Sequence, residues 1–286
     1  MCKEIIECLT KNYFIDDVVD VAKNEDGAND VFVVSLSNGK KLIYKVFTKD
    51  VAPTNSHLSL LEKLGNEFSE LPQIIGNKDN IKITSISPTE KSFLMTFQSG
   101  VHLDKVQLNQ VILERVIKII SNLHKIKDKS LVGEQWYQQA LSEIGGSETI
   151  SKDIGDIDLD KCSRGTIHGD LNHLNILVED NKLSGIIDWD GMHFDFIVTD
   201  LAIFIVHNVL KGDSNISVAD VVNGYIKHNK LTEQDIKLLA VFIKLRISQI
   251  LTLLQGRLKT EVDEKEEIIK HIAIWENKFE LLANQK

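Results

Sequence analysis

Three side chains stand out by type and spacing. They are Asp170, Asn175 and Asp188, all within the segment IHGDLNHLNILVEDNKLSGIIDWD at 167–190. Two carboxylates and a side-chain carbonyl are hard oxygen donors, a set suited to magnesium, which takes few protein ligands and completes its shell with water and phosphates. A carboxylate in such a cluster can also orient a hydroxyl and take its proton. The plainer reading is that Asp170 and Asn175 cap turns and Asp188 ends a strand. Lys45 is a fourth candidate, in the strand-like run KLIYKVF. Side chains alternate along a strand, so Ile43 and Phe47 share its face, and an ammonium among apolar neighbours needs an anion. Nucleotide phosphates would serve. The alternative is an edge-strand lysine that blunts aggregation.

These residues need elements to bring them together. Ile176–Val178 and Leu183–Ile187 read as two strands joined by the polar turn Glu179–Lys182, so His168–Asn175 stands at the entrance of a hairpin and Asp188–Asp190 at its exit. The chain changes character near residue 100. Before it come five strand-like runs, Asp17–Lys23, Asp30–Leu36, Lys41–Phe47, Ile81–Ile86 and Ser92–Phe97, with one helix around His57–Leu64. Asn38-Gly39 favours the positive backbone angles of a tight turn and predicts that the second and third runs pair antiparallel. Beyond residue 100 the pattern is helical. Val111, Ile112, Val116, Ile119, Ile120 and Leu123 form a stripe within Gln107–Lys125, and Ile268, Ile272, Trp275, Phe279 and Leu282 form another near the end. The expected architecture is α+β, with a small five-stranded antiparallel N-terminal lobe over 1–98 and a larger helical lobe over 99–286.

Composition excludes several roles. With 286 residues, 43% of them hydrophobic, the chain can bury a full core, but none of its apolar stretches approaches the roughly 20 residues of a membrane span. The N-terminal run MCKEIIECLTKNYFIDD has no apolar signal core, so a cytoplasmic location is expected. Cys2, Cys8 and Cys162 lack metal or redox spacing and read as reduced thiols. A formal charge of −9 argues against a nucleic-acid partner, which needs clustered Lys and Arg, and favours cationic ligands.

His168-Gly169-Asp170 precedes Asn175 by the spacing of the protein-kinase catalytic loop, H-R-D-x-x-x-x-N, and a second metal carboxylate follows one hairpin later. More specifically, HGDLNHLN, IIDWD and the DLA at Asp200–Ala202 resemble the signature of the aminoglycoside phosphotransferase and choline kinase family. GANDVFVV, KLIYKVF, FLMTFQSGVHL and SNLHKIK are similar to that family's glycine loop, strand lysine, hinge and pre-loop helix. The resemblance implies a two-lobed protein-kinase-like fold and transfer of the γ-phosphoryl group of ATP or GTP to a small molecule's hydroxyl. It implies Asp170 as the catalytic residue, and Asn175 and Asp188 as magnesium ligands. Nucleotide contacts would come from Lys45, from Gly27 and Asn29, and from the hinge around Met95 and Phe97.

Two departures accompany it. The family's helix glutamate, partner of the strand lysine, falls at His57, and Glu62, the helix core's only acid, lies five positions on, on another face. A gap, another acid or a rearranged lobe could each answer. FDFIVTDLA also lacks the proline that commonly precedes DLA. Gly169 stands where protein kinases carry an arginine, and no activation loop fits between Asp188 and DLA, so the expected acceptor is small. Overall acidity, with acid-rich stretches at Glu143–Asp160 and Glu261–Glu267, predicts an amine-bearing acceptor, aminoglycoside-like, with antibiotic resistance as the corresponding role. A neutral or zwitterionic acceptor such as homoserine, choline or a sugar, or a nucleotide-binding pseudokinase, is the alternative. A monomer or weak oligomer is expected.

Overall fold

A computed structural model describes residues 2–13, 15, 17–24, 30–48, 55–131, 133–211, 215–260 and 264–283. The chain divides into two compact units: residues 1–100 with 184–190, and residues 101–183 with 191–286.

The first unit is built on an antiparallel sheet. Its strands are β1 (Val18–Asn24), β2 (Asp30–Leu36), β3 (Lys41–Thr48), β4 (Ile74–Ile75), β5 (Thr84–Ser85) and β6 (Glu90–Thr96), in the order β1-β2-β3-β6-β4 with β5 also on β6. The sheet thus has one strand more than the five expected. The two-residue β4 was not foreseen, and the run Ile81–Ile86 shrinks to Thr84–Ser85, with Ile81 and Ile86 exposed. The β2–β3 hairpin forms where Asn38-Gly39 predicts it. Gly39 takes φ +81°, and the Leu36 amide donates to the Lys40 carbonyl at 2.9 Å.

Helix α1 (Cys2–Tyr13) was missed by the sequence reading. Its Ile5, Leu9 and Tyr13 recur every fourth residue, and they pack with Phe32, Val34, Leu42, Tyr44 and Leu94 from the sheet. Residues 43, 45 and 47 of β3 take the opposite parity from Leu42 and Tyr44. Phe47 stacks there on Phe93 with centroids 5.4 Å apart. Helix α2 (Asn55–Glu67) buries Leu58, Leu61 and Leu64.

The second unit is mainly helical, with α3 (Gln110–His124), α4 (Trp136–Glu143), α5 (Glu148–Gly155), α6 (Val198–Phe204), α7 (Val218–Ile226), α8 (Glu233–Thr260) and α9 (Lys265–Ala283). Asn109 caps α3 by accepting from the Ile112 amide at 3.0 Å. The buried stripe of α3 includes Leu113 and Ile117, whereas Val111, expected to face the core, is 59% exposed. Trp136, Tyr137, Phe196 and Phe242 form an aromatic cluster with centroids 5.2 to 6.2 Å apart. It holds α4 against α8. In α9, Ile268 and Trp275 are buried as the stripe requires.

Three short strands, β7 (Val101–His102), β8 (Arg164–Ile167) and β9 (Ile176–Glu179), are followed by β10 (Lys182–Ile186) and β11 (His193–Phe196). β9 and β10 form the expected hairpin, whose turn residues Asp180 and Asn181 take φ +50° and +59°, the paired positive angles of a type I′ turn. β11 pairs antiparallel with β8. Among the described residues no helix is long and apolar enough to cross a membrane.

Candidate active site

The chemistry-bearing residues form one cluster in each unit. In the first, β3 lies between β2 and β6, so Lys45 belongs to an interior strand and the edge-strand explanation fails. Its side chain is 6% exposed, and its ammonium donates to Asp188 Oδ1 at 2.9 Å and Asp190 Oδ2 at 2.7 Å. Burial works against the charged ammonium, but the carboxylates of Asp190 and Asp188 outweigh it, and the Lys45 pKa is raised. The lysine's partners are therefore the acids after β10, not a helix acid. Glu62 instead accepts from Lys82 at 2.5 Å.

Local backbone geometry aims those two acids. Asp188 sits at φ +62°, in the left-handed region that aspartate tolerates better than most residues. The preceding segment is anchored by the Ile186 amide on the Glu70 carbonyl at 3.0 Å and by Ser184 Oγ on the Ser99 carbonyl at 2.7 Å. Trp189 adds an indole bond to the Ile186 carbonyl at 2.8 Å. Met95 has strand partners on both sides, Ile43 and Ile74, while Phe97 lies just past β6, half-exposed, with the Lys41 ammonium 5.5 Å from its ring centroid. Gly27 and Asn29 lie outside the described residues.

In the second unit, Asp170 and Asn175 are in direct contact. Asn175 Nδ2 donates to the Asp170 carbonyl at 2.8 Å and to Asp170 Oδ2 at 3.0 Å. This spends the amide's N–H groups on Asp170 and turns its oxygen away from them. The loop between them is braced by Asn172, whose backbone carbonyl accepts from the Asn175 amide at 3.2 Å and whose side chain accepts from the Leu174 amide at 2.7 Å.

The start of this loop is fixed by Asp200, whose DLA motif carried no assigned role in the sequence reading. The Asp200 carboxylate accepts from the His168 amide at 2.8 Å, the Gly169 amide at 2.9 Å and His124 Nε2 at 3.0 Å. It has no solvent exposure. Burial alone would raise its pKa, but hydrogen bonding and charge from His124, with further help from His168, hold it below the usual 3.8. On its other side His124 Nδ1 hydrogen-bonds to the Tyr225 hydroxyl at 2.7 Å, and that oxygen accepts from Asn229 Nδ2 at 3.0 Å. A chain of four polar side chains, Asn229, Tyr225, His124 and Asp200, thus holds two backbone amides at the start of the 168–175 loop.

Gly169 explains its own identity. It takes φ +86°, and a Cβ there would stand 2.7 Å from the Gly191 carbonyl oxygen. The arginine of protein kinases cannot occupy this backbone.

Around Asp170 lies a set of residues the sequence reading did not single out. Arg246 of α8 is 19% exposed, with Nη2 3.9 Å from Asp170 Oδ1, Nε donating to His207 Nε2 at 3.0 Å and Nη1 to Gln249 Oε1 at 3.1 Å. His207 lies in a π-helical segment, Ile205–Leu210, that continues α6. Lys211 meets His173 Nε2 at 3.0 Å. Among the described residues no group of three or more His, Cys, Asp or Glu side chains gathers as a metal site.

The family model described as "Phosphotransferase enzyme family" matches residues 155–229, the stretch that holds Asp170, Asn175, Asp188 and Asp200. No curated protein matches the sequence. Among solved structures, an amicoumacin kinase is similar at 14% identity and a TM-score of 0.72, covering 97% of this chain and 92% of that one. A spectinomycin phosphotransferase is similar at 14% identity and 0.65, covering 98% and 94%. A microcompartment-associated aminopropanol kinase is similar at 17% identity and 0.66, covering 98% and 96%. The fold is thus the α+β fold of these kinase-like phosphotransferases, and the family model matches the segment that holds Asp170, Asn175, Asp188 and Asp200.

Proposed function

We propose that the chain moves the γ-phosphoryl group of ATP or GTP, with magnesium, to a hydroxyl of a small amine-bearing acceptor. The observation that carries this reading is the Asp170–Asn175 contact in a loop whose first amides are held by a buried carboxylate. Asp170 orients the acceptor hydroxyl and takes its proton late in the transfer. Its own Oδ2 is kept in place by Asn175 Nδ2. Lys45 attracts the nucleotide phosphates, and backbone groups around Met95 and Phe97 meet the base.

The residues present fit a magnesium ion. Asn175 uses its nitrogen on Asp170 and leaves the amide oxygen as a hard donor, and the Asp188 side chain is 52% exposed. Asn175 and Asp188 would hold the ion, and the ion offsets charge on the phosphates as the phosphoryl group moves. Relatives of the same fold are described in complex with AMP-PNP and Ca2+, or with ADP, which supports a nucleotide as donor.

Removing Asp188 should separate metal from nucleotide. In Asp188→Ala, magnesium is expected to lose most of its enhancement of ATP binding, while Lys45 keeps its bond to Asp190. Calorimetric titration of ATP with and without magnesium checks this; equal enhancement in both proteins would assign the metal elsewhere. The function itself is tested by a phosphorus-31 screen of aminoglycosides, amino alcohols, amino acids and sugars with ATP or GTP. Magnesium-dependent phosphorylation of one of them is the expected result. Nucleotide binding without transfer to any acceptor would favour a binding module.

A further inference from the structure

The charged side chain paired with Asp170, Arg246, has the opposite sign from the one that overall acidity suggests. Arg246 is 19% exposed, yet among the described residues its Nη2 makes no hydrogen bond. At 3.9 Å from Asp170 Oδ1 it is too far to donate, although close enough to feel the carboxylate. Its other donors go to the neutral acceptors His207 and Gln249. Lys211 likewise spends a donor on His173 Nε2.

Neither imidazole offsets these cations. His173 accepts from Lys211 through Nε2, and burial, with Arg246 beside it, pushes His207 down to about 2, so that ring is neutral at pH 7. The acids in reach are Asp170, which must face the acceptor, Asp104, which is shared with Lys105 at 3.1 Å, and Glu143, which reaches Arg246 through Gln249 at 2.6 Å. With Lys211 donating to Nε2, the ring proton of His173 sits on Nδ1, a buried N–H with no partner. A guanidinium with an unused nitrogen thus stands beside Asp170, and its partner His207 packs with ring centroids 5.4 Å from His173, which carries the orphan N–H and meets the second cation. An unpaired buried donor costs stability unless something accepts from it.

Resting on the phosphotransfer reading above, we propose that this corner binds a carboxylate carried by the acceptor near its reacting hydroxyl, and that Arg246 is the specificity-determining residue. The acceptor is then a zwitterionic hydroxylated amine, of the hydroxy-amino-acid class, and not a polycation. A carboxylate suits the site because it accepts from a guanidinium in a planar, directional pairing that a lone ammonium cannot give.

The test compares probes that differ by one carboxylate, homoserine against aminopropanol and serine against ethanolamine, in binding and in transfer. Binding is measured by calorimetry in the presence of AMP-PNP and magnesium. At least one carboxylated probe is expected to bind about tenfold to a hundredfold more tightly than its partner, in line with a charge-assisted hydrogen bond. That preference should vanish in Arg246→Gln and return in part in Arg246→Lys, with KM for the carboxylated probe rising more than kcat falls. Equal binding within both pairs, no binding of either carboxylated probe, or an unchanged preference in Arg246→Gln would overturn the proposal. Transfer on the same panel separates it from the broader reading. Phosphorylation of amino alcohols with no carboxylate preference sinks the Arg246 assignment alone, whereas carboxylate-selective binding without transfer upholds the corner and sinks the kinase reading.

Discussion

Asp170→Ala is expected to lower the rate of phosphoryl transfer by about 10²-fold or more, the usual contribution of a positioned acid/base group. Nucleotide affinity should stay near the wild-type value, because the proposed role of Asp170 is toward the acceptor hydroxyl and Lys45 makes its ion pairs with Asp188 and Asp190. Asp170→Asn keeps the shape of the side chain and isolates the loss of charge. Single-turnover transfer and ATP binding, measured on both variants with an acceptor that the wild type phosphorylates, distinguish the cases. Near-normal turnover would remove Asp170 from the chemistry.

The largest loss of stability should come from Asp200. Asp200→Ala leaves the His168 and Gly169 amides and His124 without their acceptor in a place closed to water. Breaking a buried pair of this kind costs about 3–5 kcal/mol, a large share of the roughly 5–15 kcal/mol that holds a typical domain together. Urea unfolding measures it directly. The acid limb of the stability curve gives an independent check. The folded-state pKa of Asp200 is lowered, so its contribution is fully present above the unfolded value near 3.8 and is lost as pH falls through the lower folded value. In Asp200→Asn that part of the acid dependence should be missing. A variant with wild-type urea midpoint and an unaltered acid limb would show that the loop is held by something else.

The loop and hairpin of the 168–186 segment were legible because their signal is local. His168, Asp170 and Asn175 lie within one loop, and the β9–β10 hairpin is written in apolar runs around a turn of Asp180 and Asn181. Strands β2 and β3 were legible for the same reason, since alternation and the Asn38-Gly39 pair act over a few residues. What escaped is long-range. The Lys45 partners lie 143 and 145 positions away, so a search of the neighbouring helix for the expected acid could not find them. Arg246 lies on a helix far along the chain from Asp170, within an apolar run where it looked like an interruption. Helix α1 was a different kind of miss. Its Ile5, Leu9 and Tyr13 spacing was visible, but the charged residues between them drew the reading toward a featureless terminus. β4 has only two residues and owes its place to Met95 and Leu94 of β6, not to its own pattern.

The π-helical segment after α6 bears on how this chain should be aligned with its relatives. Asp200 holds the start of the 168–175 loop, and Asn208, eight residues later, reaches its Leu171 carbonyl at 3.5 Å from the same helical run. In a regular α-helix eight residues turn through about 800°, which would swing position 208 about 80° round from position 200. The wider turns of Ile205–Leu210 reduce that rotation per residue and change the phase of everything downstream, including Lys211. A gapless alignment to a relative with an unbroken α-helix would therefore pair Lys211 with a residue on another face. The side chains that border Asp170 should be compared by spatial phase around the helix and not by column.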